Sequence, residues 1–356
     1  MRLLWVKVGG LWPVTTGGRI RSFHILAELS RRHRVTILTT HGPAEDPQGL
    51  VAALPRCEVV SVPWVLAKRG SARFVVALLR SWLSPRPVDV YKTRVPELCR
   101  KVAKRLAAGG IDLVVADFLA AVPNVPVDGV IPTVLFAHNV EHVIWRRLSD
   151  VEPRAWRRLL LGLEARKMRR YERRACRRAH LTIAVSDGDC GLLRAVADGA
   201  RVCAVPTGVD IDYFTPDGTR ETPARLVFTG AMDWYPNEDG VTHFIETILP
   251  RVRRDVPEAT LTVVGRHPSP RLLAMAKAVV STSVGAEGLP LVPGEHFLRA
   301  DDPAEFARAV TSLVHDPSRR RALGVAGRRL VEERYAWARV AAEFEARCEE
   351  VLSHAR

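Results

Sequence analysis

The run Leu135-Phe136-Ala137-His138-Asn139-Val140-Glu141-His142 places a polar cluster directly behind an apolar segment. In open α/β sheets, ligands bind outside the carboxyl ends of the strands, so a histidine, an amide and a carboxylate at such a point are well placed. His138 can hydrogen-bond a ligand hydroxyl or phosphate, and Glu141 can orient it. The structural alternative is a helix N-cap by Asn139 beside an exposed histidine. The spacing of His138 and His142 is not HExxH, and no zinc site is read from it.

Glycines mark the other candidate contacts. Gly9 to Arg19, GGLWPVTTGGR, lies between the first strand and the first helix. There, Gly17 and Gly18 allow backbone N–H groups to approach an anion near a positive helix terminus. The spacing is neither GxGxxG followed by an acidic residue nor GxxxxGK[ST], so an ordinary tight turn stays open as a reading. Phe228 to Gly240, FTGAMDWYPNEDG, repeats the strand, Gly turn and helix pattern, with Gly230 and Asn237 at the turn. Val263-Val264-Gly265-Arg266 is a second strand-to-Gly turn, in which Arg266 can pair with a phosphate. Val284 to Leu289, VGAEGL, adds Glu287 and Gly288 after a further strand. Ser186 reads as a cap for the helix that follows it.

The elements that must position these residues alternate along 356 residues, a length that suggests two domains. Strands are expected at Arg2–Val8, Arg34–Thr39, Cys57–Val62, Ile111–Ala116, Thr133–Ala137, Leu181–Val185 and Val202–Val205. Helices are expected at Arg19–Arg31, Glu97–Ala108 and Pro153–Arg178. This alternation calls for a parallel sheet covered on both faces. A Pro- and Gly-rich linker follows at 216–223. A second series then begins, with strands at Arg225–Thr229, Thr260–Val264 and Ala278–Thr282. Its helices are Asn237–Arg253, Pro303–Asp316 and Pro317–Glu333, and a last helix starts at Ala336. The helix over 153–178 has an apolar stripe of Trp156, Leu160, Leu163, Met168, Tyr171 and Ala175, expected to be its packed side. Arginines crowd the other side, either as a solvated face or as a surface for anionic lipid headgroups.

Composition excludes several classes. Hydrophobic residues at 47% and charged residues at 26% describe a globular chain rather than a disordered one. No uncharged apolar run is long enough for a membrane span. The six cysteines form no CxxC pair or metal-ligand cluster and read as reduced thiols of a cytoplasmic protein. The first residues read as a strand, not a signal peptide. The formal charge of +14 favours anionic partners. Interleaved aromatics and RRM-like motifs are lacking, which argues against nucleic acid.

Taken in order, TTGGRIRSFHILAELSRRHRVTILT, LFAHNVEH, AVSDGD, VPTGVDIDYF, FTGAMDWYPNEDGV, LTVVGRHP and KAVVSTSVGAEGL resemble the retaining glycosyltransferases of family 4. The likeness is greatest to the sugar transferases of exopolysaccharide and envelope synthesis. The resemblance implies an α/β GT-B fold with two Rossmann-like domains, their parallel sheets facing a cleft. Residues 1–215 would form an acceptor-side domain and 224–335 a nucleotide-sugar-binding domain, with the helix at 336–356 returning to the first. A hexosyl group would pass with retention to a glycan or lipid-linked acceptor, with neither cofactor nor metal. By the same resemblance, His138 is the catalytic histidine beside the donor sugar, and Asn139 and Glu141 lie on the acceptor side. Gly17, Gly18, Gly230, Asn237, Gly265, Arg266, Glu287 and Gly288 contact the donor. The protein would be cytoplasmic, in peripheral contact with the inner membrane face through the basic face of 154–178.

Two departures from that family stand out. Ala231 and Asn237 occupy positions where the family has an Arg and a Lys. Only Arg266 to Lys277 joins two segments that the family separates by strands, helices and an E-x7-E helix. A βαβ unit takes roughly 30 residues, so the second sheet is expected to be incomplete near 266–277. The alternative function is a non-catalytic glycosyltransferase homologue.

Overall fold

The computed structural model describes residues 1–67, 70–126, 129–214, 222–230, 235–264 and 292–354. The chain divides into two compact units, Met1–Val209 with Tyr335–Arg356, and Asp210–Arg334.

The first unit runs β1 (Arg2–Lys7), α1 (Gly17–Leu29), β2 (Arg34–His41), α2 (Pro47–Ala53), β3 (Cys57–Pro63), α3 (Ala72–Trp82), α4 (Val88–Tyr91), α5 (Pro96–Ala107) and β4 (Leu113–Asp117). It continues with β5 (Thr133–Phe136), α6 (Glu141–Val151), α7 (Ala155–Arg178), β6 (Leu181–Ala184), α8 (Asp187–Val196) and β7 (Val202–Ala204). The strands form one parallel sheet in the order β3-β2-β1-β4-β5-β6-β7. Side chains alternate across it: Leu4, Val6, Val114, Ala116 and Leu135 join one core. Leu3, Trp5, Leu113, Val115, Val134 and Phe136 join the other. Both faces are covered, so the strands read as nearly unbroken apolar runs. The chain winds outward from β1 to β3 and restarts at β4 on the other side of β1. The carboxyl ends of β1 and β4 therefore mark the topological switch point, where Lys7 and Asp117 are register partners.

The second unit contains β8 (Arg225–Thr229), α9 (Tyr235–His243), α10 (Leu249–Asp255), β9 (Thr260–Val264), α11 (Pro303–His315) and α12 (Pro317–Arg334). β8 and β9 pair in parallel, and they are the strands of this sheet among the described residues. The expected strand at Ala278–Thr282 and the short junction near 266–277 lie outside the described residues. The core of this unit includes Val241, Phe244, Ile248, Val252, Leu261, Phe306 and Val310. The stretch expected as one helix over Asn237–Arg253 is interrupted by a π-helical turn at Phe244–Ile248. Pro250 lies two residues past that turn; it has no N–H to give to the carbonyl of Glu246 and crowds it, so the turn widens.

Three local readings change. α1 begins at Gly17 rather than Arg19, which puts Gly17 and Gly18 in its first turn. α3 was not apparent in the sequence; Ser71 caps it by accepting from the Phe74 N–H at 3.2 Å. In α7, Met168 and Ala175 are buried as expected, but Trp156 is 61% and Leu163 42% exposed. The packed side is instead completed by Glu164 and Glu172. Their carboxylates accept backbone N–H groups of Val88 and of Glu141 and His142, so burial of two acids is compensated. The Ser186 cap is present, accepting from Asp189 N at 3.1 Å.

The last helix, α13 (Trp337–His354), belongs to the first unit. Trp337, Val340, Ala341, Phe344, Cys348 and Val351 recur at helical spacing and enter the core that contains Trp5 and Phe136. The Phe344 ring lies 5.6 Å from that of Trp5 and 5.0 Å from that of Phe136. Val209 N also donates to Tyr335 O at 2.6 Å. Replacing Phe344 by Ala is expected to destabilise the protein by about 3–5 kcal/mol, the usual cost of emptying a buried aromatic site. Chemical denaturation measures this; a loss below about 1 kcal/mol would show that α13 does not share the core of the sheet.

Candidate active site at the switch point

The site is built on one buried carboxylate. Asp117, at the end of β4, is fully buried, as is Lys7 at the end of β1. Lys7 Nζ lies 3.0 Å from Asp117 Oδ2, to which Trp5 Nε1 also donates at 2.8 Å. His138 Nε2 donates to Asp117 Oδ1 at 2.7 Å. Burial works to raise the Asp117 carboxyl, but the Lys7 ammonium and His138 outweigh it and hold it well below the usual carboxylate range. Burial pushes His138 down to about 4 against the opposing pull of Asp117. The imidazole is therefore neutral at pH 7, with its proton on Nε2 toward the carboxylate. Nδ1 is left as a hydrogen-bond acceptor.

Phe118 fixes the other side of the ring. It has a positive φ of 70°, uncommon outside glycine, which folds its side chain back at the strand end. Its ring stacks on His138 with centroids 3.7 Å apart and planes 2° apart. Lys7 Nζ sits 4.3 Å from the Phe118 centroid. The same ring abuts Gly18, where a Cβ would stand 2.5 Å from Phe118 Cζ. Gly18 is thus required by a close approach. Ser22 Oγ links the two halves, donating to Gly18 O at 2.8 Å and accepting from Lys7 Nζ at 3.1 Å. Thr16, at the N-cap of α1, makes no side-chain capping bond, so the first turn of N–H groups at Gly17 and Gly18 is not satisfied by it.

Below this layer, Arg21 is 1% exposed. Its guanidinium donates to the carbonyls of Ala137, Ala184 and Val205, at the carboxyl ends of β5, β6 and β7, and lies 4.2 Å from the centre of the Phe136 ring. Burial pushes it down to about 9, partly offset by Asp117 and Asp189, and it remains cationic at neutral pH. Arg21 therefore ties the strand ends together and adds positive potential under the site.

Glu141 and Asn139 stand beside His138 in sequence but engage a different network. Asn139 Nδ2 reaches Glu141 Oε1 at 3.4 Å. The N-cap of α6 is Val140, so Asn139 is not the cap. Glu172 accepts from Glu141 N at 2.9 Å and pairs with His142 Nδ1 at 2.5 Å. Burial, then the nearby Glu172 carboxylate, raises Glu141 to about 7. In the second unit, Gly230 and Asn237 are adjacent: a Cβ on Gly230 would lie 2.9 Å from Asn237 Nδ2. Gly265, Arg266, Glu287 and Gly288 lie outside the described residues. Sequence reasoning missed Lys7, Asp117, Phe118 and Arg21. A signal was present in two of them, because a charge at the end of an otherwise apolar buried strand is uncommon without a partner.

The fold and this strand-end site define a GT-B glycosyltransferase architecture. A family model described as Glycosyltransferase Family 4 matches residues 16–213, more than half of the 356 residues. The chain belongs to that family. A second model, described as Glycosyl transferase-like, matches residues 256–346. The crystal structure of an S. aureus TarM mutant in complex with Fondaparinux, alpha-GlcNAc-glycerol and UDP is similar at TM-score 0.63 and 8% identity, covering 97% of this chain and 99% of that one. A glycosyltransferase from Rickettsia africae aligns at TM-score 0.52 and 11% identity, covering 99% of each chain. A UDP-glucosyltransferase from Polygonum tinctorium aligns at TM-score 0.51 and 13% identity, covering 98% and 99%. No curated protein sequence matches the chain.

Two of the shifted groups, His138 and Glu141, make opposite contributions to stability. His138 drops from 6.5 to about 4 on folding, so its contribution is present above 6.5 and lost as pH falls toward 4. Glu141 rises from 4.5 to about 7, so its contribution is present below 4.5 and lost as pH rises through 7. Between about pH 4.5 and 6.5 the slopes oppose each other. Relative to the unmodified protein, Glu141→Gln is expected to gain stability as pH rises through that window, by at most about 1.4 kcal/mol per pH unit. His138→Asn is expected to lose stability over the same range. Denaturant titrations at several pH values check both, and parallel curves for all three proteins would refute the two assignments.

Proposed function

We propose that this protein transfers a hexosyl group from a nucleotide-sugar to a glycan or lipid-linked acceptor, with retention at the anomeric carbon and without a metal. The observation that carries the reading is His138, kept neutral by burial, oriented by Asp117 and stacked on Phe118, beside the uncapped first turn of α1. On this reading Nδ1 of His138 accepts a hydrogen bond from a hydroxyl of the donor sugar. The anomeric C–O bond to the diphosphate breaks and a bond to the acceptor oxygen forms, the acceptor proton leaving with the departing diphosphate. N–H groups of Gly17 and Gly18 would meet the charge that develops on that diphosphate. Gly230, Asn237, Gly265, Arg266, Glu287 and Gly288 are the proposed nucleotide-side contacts, and Asn139 and Glu141 the acceptor-side ones.

The proposed setting is the cytoplasmic side of a membrane, in assembly of an exopolysaccharide or envelope glycan. The basic face of residues 154–178 would rest against anionic lipid. The test is calorimetric titration of the folded protein with UDP-, GDP- and ADP-sugars, followed by donor turnover. One of them is expected to bind. His138→Ala is expected to retain that affinity while turnover falls by about a hundredfold, the scale of a positioned catalytic group. Affinity for none of the donors would overturn the transferase reading and favour a non-catalytic homologue.

A further inference from the structure

The exposed side of α7 changes character along its length. Trp156, Leu159 and Leu163 are 61%, 64% and 42% exposed. They are followed at the same helical spacing by Arg166, Arg170, Arg173 and Arg177, all exposed. Positions three and four apart share one face, so a single stripe runs from apolar to cationic. Its opposite side is packed through Glu164, Met168, Glu172 and Ala175, which fixes the stripe outward.

A second amphipathic helix lies beside it. α3 turns Phe74 and Leu78 toward the core. It leaves Val75, Val76, Leu79 and Trp82 exposed at 46–52%, with Leu83 exposed at 93%. Lys167, one turn beyond Leu163 on the same face of α7, donates to Ser81 O at 2.8 Å. That bond seats Trp82 and Leu83 next to the boundary between the apolar and cationic parts of the stripe. Arg86 and Arg174 line a surface cavity with Tyr171 and Arg178, so cations continue past this boundary. Among the described residues no helix is long and apolar enough to cross a membrane.

We propose that α3 and the first turns of α7 insert Leu79, Trp82, Leu83, Trp156 and Leu159 into the interfacial layer of an anionic bilayer, while the following arginines bind headgroup phosphates. This deepens the lipid contact proposed above, and rests on it for the choice of an anionic membrane. Tryptophan and leucine on one side and arginine on the other is the division that a bilayer interface matches: acyl boundary for one, negative surface for the other. Exposed apolar residues grouped this way mark an interaction surface, and a wholly apolar partner would leave the arginines unneutralised.

Co-sedimentation of the full chain with vesicles of phosphatidylcholine, with and without phosphatidylglycerol, tests this. Binding is expected only with phosphatidylglycerol. The paired substitutions Trp82→Ser/Leu83→Ser and Trp156→Ser/Leu159→Ser are each expected to weaken it by about tenfold, because each removes two inserting side chains. Arg166→Ser/Arg170→Ser is expected to weaken it and to flatten its salt dependence. These positions are exposed, and unchanged thermal unfolding verifies each fold. Binding by the unmodified protein with both apolar pairs equally tight would overturn insertion while leaving the electrostatic contact. No binding to phosphatidylglycerol vesicles would overturn both. Donor titration is unaffected in either case, which separates this result from the transferase reading.

Discussion

The ion pair between Lys7 and Asp117 is the constraint around which the first unit is organised. It sits where β1 and β4 part, the one place in the sheet where neighbouring strands send their chains in opposite directions. Two charges with no water around them survive only if each is fully partnered, and breaking such a pair costs about 3–5 kcal/mol. Asp117 meets that demand with Lys7, Trp5 and His138 together. The consequence reaches His138 directly. The carboxylate that keeps Lys7 soluble in the core also selects the tautomer of His138 and turns its acceptor nitrogen away from the core carboxylate. The stability of the pair and the orientation of the imidazole thus rest on the same carboxylate.

Arginine and glutamate play the corresponding part elsewhere. Arg21 joins the ends of β5, β6 and β7 by donating to the carbonyls of Ala137, Ala184 and Val205. Glu164 and Glu172 fill a helix face that would ordinarily be apolar, and each satisfies backbone N–H groups at the start of another helix. These are buried charges used as connectors between elements. They explain why the apolar residues of the first turns of α7 are free to face outward: the helix is anchored by its acids.

Much of the fold was legible before any coordinates. Strands buried on both faces leave unbroken runs such as LLWV and LVVA, and β8 and β9 fall on the residues their β-branched runs indicate. α3 was not legible, because its polar side is narrow, Arg73, Arg80 and Ser81 alone, and apolar residues occupy the rest of its surface, exposed positions included. The side of α7 that packs was misread for a related reason: periodicity assumes that apolar residues are the buried ones, and Glu164 and Glu172 reverse this. At the site, His138, Gly17 and Gly18 were legible from their place at strand and helix ends. Asp117 carried a signal, as a charge closing an apolar strand, but nothing in the sequence marks what it touches across 21 residues of chain, and Phe118 carried no signal.

The sequence alone determined the alternation of strand and helix and the parallel sheet that alternation requires. Those follow from local periodicity and backbone sterics, which act within a few residues. Only the tertiary structure decided that Asp117 would orient His138, that Phe118 would lie against Gly18, and which side of α7 would meet solvent. Each of these is a balance of desolvation against partnering between groups distant in the chain, and that balance exists only once burial has chosen their neighbours.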